Sequence, residues 1–259
     1  MLGKEETAVR GNFLSALAMF IAVSVTFINV INPISVLIGI AIGAIIGSLI
    51  ALKVKMTSIP EMVALFNGFG GLATFFIAWS EFNSIPSNNF QYLLVMITTY
   101  IGGVTFSGSV IAYGKLSETL KVEKSSIITK FFTTLFYISI IYLLYSIFIT
   151  KIFSPGFDFY TIFLILTLLG GIGFVIPIGG GDMPVVISLL NSFSGIAAAF
   201  AGLLLLNNVL IVAGSLVGAS GLILTIIMAK AMNRSIGNIL FVGYASSSSV
   251  SKSEETGEV

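Results

Sequence analysis

Apolar runs of about 20 residues alternate with short polar breaks along the whole chain, the length needed to cross a hydrocarbon core of about 30 Å as a helix. Eight can be marked off: about Phe13 to Ile31, Ile34 to Leu52, Glu61 to Ser80, Phe90 to Tyr113, Ile128 to Ile149, Phe159 to Ile176, Pro184 to Leu206 and Val209 to Ala229. The breaks carry turn chemistry: Asn32-Pro33, the Lys53–Pro60 stretch, a polar loop from Glu81 to Asn89 with Pro86, Lys151 to Asp158, Pro177 to Pro184, and Asn207-Asn208. Lys115 to Lys130 is the most charged stretch and reads as an inner loop, either a solvated charged face, the favoured reading, or one with a short amphipathic helix. No dyad alternation marks a barrel, and unpaired backbone is too costly in lipid, so the runs predict helices. The fold class is all-α, a polytopic membrane bundle of about eight spans. Gly39, Gly43 and Gly47 on the second span make a close-packing face for another helix. Residues 1–12 form an N-terminal segment, 13–244 the membrane domain, and 245–259, with Ser246 to Ser249 in a row, a flexible linker. The N-terminus carries acids as well as bases and no small-residue cleavage site, so it reads as the lead-in to a membrane helix rather than a signal peptide.

Charge gives the string an orientation. Threaded with the N-terminus inside, the chain puts Lys4, Arg10, Lys53, Lys55, Lys115, Lys121, Lys124, Lys130, Lys230, Arg234 and Lys252 on the inner side, and Lys151 alone outside. Cationic residues in short loops resist translocation, so both termini are expected to be cytoplasmic. Composition agrees: 56% of residues are hydrophobic and 9% charged, against about 25% charged in soluble domains. A net charge of +1 and short loops leave no nucleic-acid module. There is no Cys, which removes disulfides and thiolate chemistry, and no His, which removes the side chain best suited to titrate near neutral pH. No set of carboxylates can hold a metal, and Gly179-Gly180-Gly181 lacks the strand and Lys of a phosphate loop.

Candidate chemistry collects at a few places. Asp182 abuts the seventh span after three glycines. It can cap that helix, or stand as a charge at a pore mouth on a glycine hinge formed with Gly180 and Gly181. Arg234, just past the eighth span, can pair with it or serve only as an inner anchor. On the seventh span Ser188, Asn191, Gly195, Ala198 and Gly202 follow three- and four-residue steps. That stripe is either interhelical glue or a water-lined path. Asn67, Gly70, Gly71 and Thr74 form a similar stripe on the third span, Thr105, Ser107 and Ser109 lie on the fourth, and Gly214, Gly218, Gly221 and Thr225 on the eighth. Together they predict a compact bundle with a thin polar seam.

Lys53 to Thr57, Pro60 to Gly71, Val104 to Ser109, Pro177 to Ser194 and Lys230 to Ser235 together resemble, in order, the membrane domain of the β subunit of proton-translocating NAD(P)+ transhydrogenases. That resemblance implies an inner-membrane complex coupling inward proton movement to hydride transfer from NADH to NADP+. It implies that NAD(H) is bound by an α subunit and NADP(H) by a soluble domain following the linker, so this chain alone would bind neither and would not catalyse hydride transfer. A symmetric dimer, and one further helix before the segment resembling Gly3 to Asn12, are also implied. By position, Asn67 stands where the family usually has a channel His, which some members carry on an α-subunit helix. Ser109 and Asn191 match channel residues, Gly221 a channel-wall glycine, and Asp182 and Arg234 residues linking the channel to the NADP-binding domain. The alternative is a self-contained secondary transporter of a small solute or ion, which would need helices broken at mid-membrane.

Overall fold

The structure, a computed structural model, describes residues 5–28, 32–84, 88–120, 127–149 and 157–245. Among them are nine α-helices: α1 (Glu5–Ile28), α2 (Pro33–Lys53), α3 (Ile59–Asn83), α4 (Asn89–Leu116), α5 (Ile127–Ile149), α6 (Phe157–Val175), α7 (Met183–Leu204), α8 (Asn208–Ala231) and α9 (Ile236–Ala245). No strand occurs among the described residues. Helices α1 to α8 are long and apolar enough to cross a membrane, with mean hydropathy between 1.6 and 2.5 over their most apolar stretches. The chain is therefore a multi-pass, all-helical membrane protein, as the apolar runs predict.

The differences lie at element ends. Helix α1 begins at Glu5, well before Phe13, because polar residues continue a helix as readily as apolar ones once it has started. No separate amphipathic helix follows α4 among the described residues: Ser117 to Leu120 form a turn, and 121–126 lie outside the description. Helix α9 is unexpected. At ten residues it is too short to span, and Ile236, Ile239 and Leu240 pack into the core instead. Apart from Ala245, the expected linker lies outside the described residues.

Local chemistry fixes the ends. Pro33, Pro60 and Pro184 sit in the first turns of α2, α3 and α7, where a missing N–H costs nothing. Asn88 and Asn207 cap α4 and α8, accepting from the N–H of Gln91 at 2.9 Å and Leu210 at 3.1 Å. Helix α8 ends on Asn233 at φ 53°, and the Arg234 N–H donates back to the Ala229 carbonyl at 3.0 Å. Asn tolerates this left-handed conformation, and the turn brings Arg234 back along the bundle.

The chain divides into two compact units after Lys55. The first holds α1 and α2. No residue of α2 is buried, and nothing lies within 4 Å of a Cβ built at Gly39, Gly43 or Gly47. The packing face expected there is thus unfilled among the described residues. In the second unit α4 is central, packed against α3, α6 and α7; α7 also packs on α8, and α5 on α6. One core cluster gathers Ala64, Ala112, Val175, Ile178, Met183, Val186, Leu190 and Ala229 at one end. The other gathers Phe82, Tyr92, Met96, Tyr160, Phe163 and Leu204 at the opposite end, where Phe82 and Tyr160 stack at 3.7 Å and the Tyr160 and Thr99 hydroxyls meet at 2.7 Å. Between them the helices approach through glycine: a Cβ on Gly71 would stand 2.9 Å from the Gly102 carbonyl, and one on Gly195 2.3 Å from the Gly218 nitrogen.

Candidate functional site

Ala64, Gly68, Gly71 and Ala78 are the buried small residues of α3, and Gly68 and Gly71 lie directly against α4. A Cβ at Gly68 would stand 3.1 Å from the Ser109 Cβ and 3.4 Å from the Phe106 carbonyl. This close approach brings Asn67, beside Gly68, onto α4, where its Nδ2 donates to the Ser109 Oγ at 3.0 Å. Ser109 is buried and Asn67 half-buried. A third helix joins them: the Ser194 Oγ of α7 donates to the Asn67 carbonyl at 3.3 Å. Ser194 escaped the sequence reading, although its place three residues after Asn191, on the same flank of the helix, is a signal that points to it. One turn before Ser109, the buried Thr105 hydroxyl has no hydrogen-bond partner.

Asn191 does not complete a closed line. It is exposed and hydrogen bonds to neither Asn67 nor Ser109, which leaves an open polar flank beside the bonded pair. The stripe on α7 divides for a physical reason. Ser188, Ser192, Gly195 and Gly202 meet α8, Ser194 turns toward α3, and Asn191 stays exposed.

The α7–α8 contact forms a second polar line. The Ser192 Oγ donates to the Gly218 carbonyl at 2.7 Å. The Thr225 Oγ1 lies 2.8 Å from the Gly221 carbonyl and 3.1 Å from the Ser188 Oγ. Gly221 is buried, and a Cβ on it would stand 2.9 Å from the Ser192 Cα. These hydroxyls are satisfied by backbone carbonyls, so this line holds the two helices together.

At the end of the unit where α6 passes into α7, a 3₁₀ turn, Gly180–Asp182, precedes the helix. Asp182 is largely buried but makes no side-chain cap to α7. Its Oδ2 instead accepts from the Arg234 Nη1 at 3.1 Å, an ion pair whose Asp side chain is 11% and whose Arg side chain is 48% exposed. Gly180 and Gly181 are crowded by nothing closer than the Lys115 carbonyl, 4.0 Å from a Cβ on Gly180. No described glycine has a positive φ, so neither space nor conformation requires glycine here.

A family model described as NAD(P) transhydrogenase beta subunit matches residues 1–259, the whole chain. The chain belongs to that family. Two relatives from Rhodospirillum rubrum, each named NAD(P) transhydrogenase subunit beta, are 36% identical to it over 260 residues, which cover 96% of this chain and 55% of theirs. This β-subunit chain thus spans about half the length of the curated relatives it matches. Three of the stretches carrying the resemblance meet in the structure: Asn67 of α3, Ser109 of α4 and Ser194 of α7.

Proposed function

We propose that the chain is the proton-conducting membrane domain of a proton-translocating NAD(P)+ transhydrogenase in the inner membrane, with both termini cytoplasmic. The observation that carries this reading is the junction of α3, α4 and α7, where Asn67, Ser109 and Ser194 are linked by hydrogen bonds beside the exposed Asn191. A proton entering from outside reaches this junction through water. Asn and Ser hold and orient water but do not themselves ionise near neutral pH. The chain has no His, so the titrating group comes from a partner, and the open flank beside Asn191 is where a helix of the α subunit lends it. NAD(H) is bound by that subunit and NADP(H) by a soluble domain that presses on the end of the bundle bearing Asp182 and Arg234. The redox state of the nucleotide biases the Gly179–Gly181 segment between two positions, so the path opens to one side at a time. Two copies of the complex form the working dimer.

Freedom from crowding at Gly180 and Gly181 supports the moving element. A self-contained transporter would need helices broken at mid-depth, whereas α3 to α8 are each continuous and the interruption between α6 and α7 lies at their ends.

Asn191→Leu in the full complex tests the reading. Asn191 is exposed on this chain, so its replacement should leave the stability of the chain's own fold within about 0.5 kcal/mol. Proton pumping should nevertheless fall about tenfold, a barrier increase of about 1.4 kcal/mol. Unchanged pumping at unchanged hydride transfer rejects the junction as the path.

A further inference from the structure

Helix α6 stops at Val175, and the chain leaves it through Ile176, Pro177 and Ile178, with one backbone turn closing back as the Ile178 N–H donates to the Val175 carbonyl at 3.1 Å. All four of these residues are buried. Carbonyls of a helix end left without donors are costly, and most costly at membrane depth. For the Ile176 and Ile178 carbonyls a donor comes from another helix. The Lys115 ammonium, at the end of α4, donates to the carbonyls of Val175 at 3.3 Å, Ile178 at 2.5 Å, and Ile176. The Lys115 backbone carbonyl also lies beside Gly180. One residue therefore holds the link at its start, while Arg234 holds Asp182 at its end.

Lys115 stands six residues after Ser109 on the same helix, about 9 Å along the axis. The link it holds leads directly into α7, which carries Ser194 and Asn191. The clamp therefore sets α7 in register against the helix that carries Ser109. We propose that Lys115 is a positioning residue for coupling: its ammonium fixes the Val175–Ile178 link, so that motion begun at Asp182 turns about the glycines rather than slackening the α6–α7 connection. A lysine near a helix end usually serves as a positive-inside anchor or a simple C-cap. Here one ammonium donates to three carbonyls of a buried link that an anchor would not touch.

This inference rests on the proposed function, and its test separates the two. Ile178 is 3% exposed, and the chain has no native Cys. With Ile178→Cys as the chain's single thiol in the full complex, labelling by a membrane-permeant maleimide reports how often the link opens, whatever the complex pumps. Lys115→Met should raise the labelling rate at least about fivefold, since it orphans buried carbonyls, and Lys115→Arg should return it to near the starting rate. In the native-Ile178 background Lys115→Met should at least halve the protons moved per hydride transferred, and Lys115→Arg should restore the ratio, a split that general loss of folded complex does not produce. Unchanged labelling overturns the clamp and leaves the proposed function standing. Faster labelling with an unchanged proton-to-hydride ratio overturns its role in coupling. If Lys115→Met fails to assemble, Lys115→Gln carries the same comparison, retaining an N–H donor without the charge.

Discussion

Arg234→Met should uncouple proton movement from hydride transfer and destabilise the membrane domain at the same time. The Asp182 side chain is 11% exposed and its partner 48% exposed, so removing the guanidinium strands a nearly buried carboxylate. No cap to α7 takes up the slack. Breaking a fully buried pair costs about 3–5 kcal/mol, and the solvent-screened arginine side lowers this to about 1–2 kcal/mol. Asp182→Asn combined with Arg234→Met removes the stranded charge and should recover most of the thermal stability. It should not recover coupling, because the proposed reading assigns this charged pair to the contact with an NADP-binding domain. Thermal unfolding of the purified complex, read beside proton pumping, checks both halves. Equal stability of the single and double variants would show that the pair does not bear on Asp182 as described.

Gly71→Val should strongly destabilise the folded bundle at the α3–α4 contact. Even a Cβ at Gly71 would stand 2.9 Å from the Gly102 carbonyl, the Phe106 nitrogen and the Thr105 Cβ, and two of these are backbone. Relief requires α3 and α4 to separate. Overpacking of this kind costs about 1–3 kcal/mol, and a backbone-on-backbone clash belongs at the upper end. The same separation would draw Asn67 away from Ser109, one turn along, so pumping should fall even in the fraction that remains folded. Thermal unfolding and proton pumping of Gly71→Ala and Gly71→Val, in that order of severity, measure it. A Gly71→Val complex as stable and active as the parent would mean that α3 and α4 do not approach as closely as described.

The spans were legible because each is a long apolar run between charged or turn-forming residues, a signal that survives without any tertiary context. Helix α9 was not, since a mostly apolar stretch of ten residues reads equally as the tail of a membrane domain until Ile239 is seen buried in the core. At the site, Asn67 and Ser109 stood out as polar residues in apolar spans beside glycines, and the glycines are what bring them together. The pairing of Asp182 with Arg234 was legible as a possibility from opposite charges at two helix ends. What decides it is the left-handed Asn233, which turns Arg234 back. Which side of α7 faces which neighbour was not legible: small and polar residues occupy both sides, and the three- and four-residue steps mixed the α8-facing Ser188 with the outward Asn191. The Lys115 clamp was hidden for another reason. Its partners are backbone carbonyls, which carry no mark in a sequence.

In the proposed reading, protons cross at the junction of Asn67, Ser109 and Ser194. The most direct test is the number of protons moved per hydride transferred by the full complex in sealed vesicles, with Asn67→Leu beside the parent. Leucine keeps the branching and heavy-atom count and removes the donor to Ser109, so the ratio should fall about tenfold or more while hydride exchange between bound nucleotides persists. A ratio equal to the parent's, at equal hydride transfer, would contradict it.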